Sequence, residues 1–156
     1  MMVDHMFKWA KIISAVICLL ILVDFTLPGK EYTEGVLEKE RKMQRYYNAA
    51  QNVHYSHHLI TKNFILFSSE DLANIVNKGD MLLLKESRLF KEINRVTHIP
   101  SATSEIYSLR YVSGLVIPLL AILVFMTSLI FPTRYVMLSF VLIVLSTGNL
   151  IYILVS

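Results

Sequence analysis

The sequence predicts an α-helical membrane protein with three transmembrane helices, one anchor and one C-terminal hairpin, and an inserted small α+β domain. It contains three apolar runs, each close to the ~20 residues that a helix needs to cross a bilayer, and the 83 mostly polar residues 28–110 lie between the first run and the second. The runs are Phe7–Leu27, Val112–Phe131 and Tyr135–Val155. We therefore expect an anchor over residues 1–27, an extramembrane domain over 28–110 and a helical hairpin over 111–156.

The composition agrees with this division. Hydrophobic residues make up 54% of the 156 residues and charged residues only 17%, which is unusual for a soluble domain. Residues 28–110 hold twelve of the fifteen Lys and Arg and ten of the twelve Asp and Glu. Because the two signs nearly balance there, the basic pI is not the mark of a nucleic-acid-binding surface, and we expect no nucleic-acid partner.

The first apolar run can be read as a cleaved signal peptide or as a retained anchor. Its apolar core is longer than that of a usual signal peptide, and residues 23–29 lack an A-x-A-like cleavage site. Trp9 suits the headgroup level, and Pro28 with Gly29 ends the helix as it leaves the membrane. We interpret the run as an uncleaved anchor.

Orientation follows from the short flanking segments, because loops above ~60 residues cross the membrane largely regardless of their charge. Lys8, Lys11 and Arg134 are all cytoplasmic if the N-terminus is inside. Basic residues at the membrane-proximal ends of the domain oppose this orientation. We expect an integral protein of a bacterial inner membrane, with the N-terminus cytoplasmic and residues 28–110 extracytoplasmic, in the periplasm.

The two C-terminal runs are joined by residues 132–134 alone, so they should form an antiparallel hairpin. Pro118 removes one backbone donor and can kink its helix. Asn149 can hydrogen-bond across a helix interface. We expect both residues to serve helix packing or partner contacts. Cys18, the only cysteine, lies within the first run, so the domain cannot contain a disulfide.

A transporter would normally carry ionisable groups within its spans. Only Lys11 and Asp24 qualify, and both lie near helix ends. Asp24 is expected at the interface, or else as a buried partner for a basic residue of another subunit. Transport by this chain alone is therefore not expected. A pore formed by several copies is the alternative.

The extramembrane domain shows helical and then strand-like patterns. Thr33 can cap a helix whose thin apolar stripe reaches Ala50, and a short helix opening at Ser68 should stop at Gly79. Alternating branched and aromatic residues predict four strands: Tyr55–Ile60, Phe64–Phe67, Met81–Leu84 and Leu89–Val96. A core this small is marginal without disulfides, which favours support from another subunit.

Three histidines are the main candidates for chemistry. On a helix, His54, His57 and His58 would share one face and could begin a metal site. On a strand, His57 would point away from the other two, and the flanking residues favour the strand. No Cys or nearby acid completes the set, so ordinary exposed or partly buried histidines are the main interpretation, with a metal site or a pH-sensitive surface as alternatives. His98 is a remote fourth candidate.

No catalytic template appears. The five glycines do not cluster into a phosphate loop, and neither G-x-S-x-G nor H-E-x-x-H occurs. We expect a non-enzymatic accessory or structural subunit of a membrane protein complex, without a cofactor, whose partners are the lipid bilayer and larger membrane protein subunits. The alternative is a membrane-anchored sensor or regulator that binds metal or protons through the three histidines. A third interpretation is a small hydrolase at the membrane, which no motif supports.

Overall fold

The computed structural model describes residues 2–45, 53–131 and 135–155, with side chains described for 7–43, 55–131 and 136–155. The chain divides into two compact units. The helical unit contains the residues up to 28, residues 87–92 and the residues from 108 onward, and the sheet unit contains residues 29–86 and 93–107.

The helical unit contains three helices that are long and apolar enough to cross a membrane, as predicted. Helix α1 is Met2–Thr26 and helix α5 is Tyr135–Val155. The middle helix is continuous but not uniform: α3 (Ser108–Tyr111) leads through the π-helical segment Val112–Val116 into α4 (Ile117–Ile130). It begins four residues before the predicted Val112.

The three helices pack against one another, and neighbours in the chain run antiparallel. Phe25 contacts Tyr111, whereas Lys11 contacts Phe125, so residue numbers rise in α1 as they fall in the middle helix. In the same way the start of the middle helix meets the end of α5. A buried layer of Cys18, Ala121 and Leu142 joins the three helices near their centres. Residues 132–134, the predicted hairpin connection, lie outside the described residues.

In its described residues, the sheet unit has two antiparallel sheets and one short helix. The four-stranded sheet has the order β1-β5-β6-β7, and the three-stranded sheet has the order β2-β3-β4. The strands are β1 Lys30–Gly35, β2 Glu38–Arg45, β3 Val53–Ile60, β4 Ile65–Ser68, β5 Met81–Glu86, β6 Ile93–His98 and β7 Thr103–Glu105. Helix α2 is Glu70–Ile75, and the Ser69 side chain caps it by accepting from the Leu72 N–H.

One hydrophobic core serves both sheets and α2. Its buried residues come from the β1–β2 connection, from β3 to β6, from α2 and from the residue after it: Val36, Leu59, Leu66, Leu72, Val76, Leu82, Leu84 and Val96. Tyr32, Phe64 and Ile93 pack against it while partly exposed. Eight buried side chains make a small core, as expected for a unit of this size.

The predicted helix from Thr33 to Ala50 is wrong over its described part. Residues 33–35 belong to β1 and residues 38–45 to β2 instead. Tyr32 pairs with Leu84 and Lys39 with Leu59, so extended chain places this segment beside two strongly apolar strands. Strand pairing and burial outweighed a helical stripe that was too thin to bury much surface.

Three smaller corrections concern the later elements. Helix α2 ends at Ile75, before the predicted end at Gly79, which lies instead in the turn before β5 with a φ of 93°. The last predicted strand, Leu89–Val96, is displaced, because β6 starts at Ile93 and residues 87–92 form a loop. Strand β7 was not predicted. The strands near Tyr55–Ile60, Phe64–Phe67 and Met81–Leu84 are confirmed with shifted ends.

Candidate functional site

Polar side chains are buried at one end of the helical unit, where α1 ends, the middle helix begins and α5 ends. We call Asp24, Arg110, Ser113 and Asn149 the buried polar cluster. Asp24 is 3% exposed and Arg110 is 5% exposed, and both Ser113 and Asn149 are buried. Charged groups are rarely buried to this degree unless they are paired, so the contacts of the cluster need a full account.

Asp24 binds the loop of residues 87–92. Its two carboxylate oxygens accept hydrogen bonds from the backbone N–H groups of Leu89 at 2.7 Å and Phe90 at 3.3 Å. The loop is closed on itself, because the Ser87 N–H donates to the Glu92 carbonyl at 2.8 Å and the Glu92 N–H donates to the Ser87 hydroxyl at 3.2 Å. With two backbone N–H groups bound to one side chain, Asp24 fixes this loop to the end of α1.

Arg110 lies over an aromatic ring. Its guanidinium carbon is 5.4 Å from the centroid of the Phe25 ring, within the range of a cation–π contact. Asp24, Glu92 and Tyr152 act electrostatically on the same guanidinium. The Phe25 ring also meets Tyr111 edge-on, with centroids 6.5 Å apart. Arg110 therefore contacts an aromatic face and lies within electrostatic range of two acidic side chains.

Phe25 also requires the glycine at position 114. A Cβ atom added to Gly114 would overlap Cδ2 of Phe25, far inside van der Waals contact. The middle helix and α1 thus approach so closely here that no side chain fits. Close approach through small residues is a common way for membrane helices to pack.

Pro118 and Asn149, which the sequence analysis named separately, act on the same backbone group. In the π-helical segment the Ile117 N–H donates to the Val112 carbonyl, so it does not pair with Ser113. The next π-type donor for the Ser113 carbonyl would be the N–H of residue 118, which proline lacks. The Asn149 Nδ2 donates to that carbonyl at 2.8 Å. The buried side chain thus supplies the missing donor.

Lys11 lies far from the buried polar cluster. Its ammonium group is 5.8 Å from the centroid of the Phe125 ring and is buried. The thirteen residues between Lys11 and Asp24 correspond to about 20 Å along a helix. The apolar layer of Cys18, Ala121 and Leu142 lies between the two levels.

The candidate histidines lie on β3, the strand interpretation of the sequence analysis. His58 is buried, and its ring meets Phe67 edge-on with centroids 4.7 Å apart. Burial, with a smaller contribution from Lys42, lowers the pKa of His58. The His54 side chain lies outside the described residues. Among the side chains that are described, no three His, Cys, Asp or Glu residues gather as they would around a metal ion.

His98, the remote fourth candidate, has different neighbours from the other histidines. Its ring is buried, with Nε2 3.0 Å from Asp80 Oδ2 and Nδ1 2.7 Å from Ser101 Oγ. Asp80 also accepts from the Asn77 N–H at 2.8 Å. That bond, followed by the hydrogen bond to His98, lowers the pKa of Asp80, so the carboxylate is ionised near neutral pH. We call Asp80, His98 and Ser101 the Asp-His-Ser chain.

The search for catalytic motifs missed this arrangement because its members come from two turns. Leu82 pairs with His98 across β5 and β6, so Asp80, two residues earlier, lies beside the end of β6. Ser101 returns to the same ring through the turn after β6, where Ala102 has a φ of 55°. The sequence does contain His98 three residues before Ser101, and Asp80 just before β5. These residues can be recognised as neighbours only when the register of β5 with β6 is known.

Comparisons with protein-family models, with curated proteins and with solved structures find no match for this chain.

Proposed function

We propose that the chain is an integral membrane protein that serves as an accessory or structural subunit of a larger membrane protein complex. Its three helices dock among lipids and partner helices, and residues 28–110 make protein contacts. The observation that carries this proposal is an exposed apolar pair on β4. Ile65 is 65% exposed and Phe67 is 46% exposed, and they stand on the same face of the three-stranded sheet.

The neighbourhood of this pair strengthens the argument. Phe67 is held between the edge of His58 and the ring of Tyr107, which stacks on it with centroids 5.3 Å apart. The aromatic group is thus ordered before any partner binds, which lowers the entropy cost of association. Aromatic side chains that are rigid and partly exposed are typical anchors of protein interfaces.

The helical unit supports docking better than conduction. The charged groups of the buried polar cluster hold a loop and an aromatic ring, and an apolar layer separates them from Lys11. A conduit needs a continuous series of polar groups or a water-filled path across the membrane. The described helices instead expose apolar side chains on their outer surfaces, as lipid or a neighbouring helix requires.

Copurification tests the subunit role. The chain, expressed at native level and extracted in mild detergent, should appear by native mass spectrometry in a reproducible complex with larger membrane proteins. Ile65→Lys should weaken that complex at least tenfold, whereas Ile75→Lys, at another exposed apolar position, should leave it intact. A monomer in native extracts, or equal loss with both variants, would count against the proposal.

We propose an inner-membrane location in a bacterium, with a cytoplasmic N-terminus and a periplasmic sheet unit. Cys18 is the only cysteine and is buried, so single-cysteine variants can report on sidedness. Lys62→Cys should react with a membrane-impermeant maleimide from the periplasmic side, and Lys8→Cys should react only after the inner membrane is opened. The reverse pattern would invert the topology.

A further inference from the structure

The Asp-His-Ser chain has a defined proton arrangement. A carboxylate only accepts hydrogen bonds. In the neutral His98 ring, Nε2 therefore carries the proton and donates a hydrogen bond to Asp80. Nδ1 is then an acceptor, and the Ser101 hydroxyl at 2.7 Å is a donor that faces it. The Ser101 hydroxyl can donate its one proton to His98 Nδ1 or to Thr103 Oγ1, which is 2.9 Å away.

The base is held in place more firmly than the hydroxyl that it faces. Only 4% of the His98 side chain is exposed, whereas Ser101 is exposed at a turn. The Asn77 backbone N–H donates to Asp80 and holds its carboxylate in place. A buried base, an orienting carboxylate and an accessible hydroxyl are the parts that nucleophilic serine catalysis needs.

Thr103 completes the surroundings of Ser101. Its hydroxyl is 2.9 Å from Ser101 Oγ, and its backbone N–H donates to Ser101 Oγ at 3.4 Å. Because each hydroxyl can donate or accept, Thr103 can donate to Ser101 and leave the Ser101 proton for His98. The Thr103 backbone N–H, which donates to Ser101 Oγ, helps to hold that oxygen in place.

We propose that Ser101 is a nucleophilic serine, activated by His98 and oriented through Asp80, that accepts acyl groups from carboxylic esters. Ser101 Oγ attacks the carbonyl carbon while its proton passes to His98 Nδ1. The carbon–oxygen bond of the ester then breaks, and the alcohol leaves with that proton. Water, deprotonated by Nδ1, next attacks the acyl group, and Ser101 recovers the proton as the carboxylic acid departs. The activity goes beyond the subunit role and does not depend on it.

The test is covalent labelling of the full chain in detergent with a fluorophosphonate probe. Ser101 Oγ should displace fluoride from phosphorus, and peptide mass spectrometry should place the adduct at Ser101. Ser101→Ala should abolish labelling, and His98→Gln should slow it by about 100-fold or more, the scale of general base catalysis. Ser104→Ala, at an exposed serine of β7, is the matched control and should label normally.

A pH series on the unaltered protein separates activation from a structural role. The labelling rate should fall in acid, because a protonated His98 cannot take the Ser101 proton. The charged groups that act on this site are Asp80, facing the ring, and Lys39, which acts on Asp80. Asp80→Asn should therefore also slow labelling, and a folded protein should be verified for each variant by circular dichroism.

Three results would overturn the proposal. They are no adduct on the folded protein, an adduct spread over several serines at the rate seen after denaturation, and a rate on the unaltered protein that does not change with pH. All three measurements are made on the unaltered protein, so they remain decisive even if His98→Gln fails to fold. Hydrolysis of p-nitrophenyl acetate with a burst of one nitrophenol per chain would support the acyl-enzyme step.

Discussion

Asn149 donates from Nδ2 to the backbone carbonyl of Ser113 at 2.8 Å, at the place where Pro118 leaves the middle helix without a donor. Both groups are buried. An unpaired carbonyl in a bundle of apolar helices would be costly, and an asparagine on another helix removes that cost. The proline, the π-helical segment and the asparagine therefore form one structural unit.

The first prediction concerns the hydrogen bond from Asn149 to Ser113. Asn149→Leu should destabilise the folded helical unit by about 1 kcal/mol, the scale of side-chain hydrogen bonds between membrane helices. In a Pro118→Ala background, residue 118 can donate to Ser113 itself, so the same replacement should cost clearly less. Reversible unfolding in mixed micelles measures both values. Equal costs in the two backgrounds would disconnect Asn149 from Pro118.

The second prediction concerns the contact between α1 and the middle helix. Gly114→Ala should destabilise the protein by about 1–3 kcal/mol, the usual range for overpacking a tight contact, because the new Cβ would meet the Phe25 ring. Gly148→Ala is the control, since no atom lies within 4 Å of its added Cβ. Phe25→Leu should recover part of the loss caused by Gly114→Ala. Thermal unfolding in one detergent compares the four proteins.

The third prediction concerns the loop of residues 87–92. Asp24→Ala removes the acceptor of two backbone N–H groups, so the amides of Leu89 and Phe90 should exchange with deuterium about tenfold faster or more. The Thr97 amide, within β6, should keep its rate. Hydrogen-exchange mass spectrometry of the two proteins provides the measurement. Unchanged exchange in the loop would mean that Asp24 does not hold it.

The fourth prediction concerns pH. The folded state lowers the pKa of His58, so the unfolded chain binds the proton more readily than the folded one. Stability from this source is complete above the unfolded pKa of about 6.5 and is lost as the pH falls from there towards the lower pKa of the folded state. Replacing the residue by His58→Phe should flatten the fall in unfolding temperature between pH 7.5 and pH 5.

His57→Gln is the control for that measurement, because His57 lies next to His58 on the same strand. It should leave the pH dependence close to that of the unaltered protein. An equal flattening by both replacements would assign the effect to the general charge of the region instead of to the buried ring.

The sequence predicted the helices well and the sheet unit in part. Apolar runs of about 20 residues have one common structural outcome, so length alone located α1, α4 and α5. The segment from Thr33 to Arg45 could not be assigned in that way, because its pattern fits both a helix and a strand. The segment is extended because it pairs with Leu59 and Leu84, which lie on strands distant in the sequence.

The polar sites show the same limit. Asp24, Pro118 and Asn149 stood out because each is unusual in an apolar run, but their targets could not be predicted. The Asp24 carboxylate binds backbone N–H groups 65 residues away, and backbone groups leave no trace in a sequence. His98 stood out even less, since its partner Asp80 becomes a neighbour only through the pairing of β5 with β6.

The contact between Phe25 and Gly114 also has a consequence for evolution. Neither position can change freely while the other is kept, because a side chain at 114 needs the space that the phenyl ring fills. Related chains should therefore covary at these two positions, with a residue larger than glycine at 114 accompanied by a smaller one at 25. Such paired exchange would identify related proteins that keep this helix contact, even where the surrounding apolar residues no longer align.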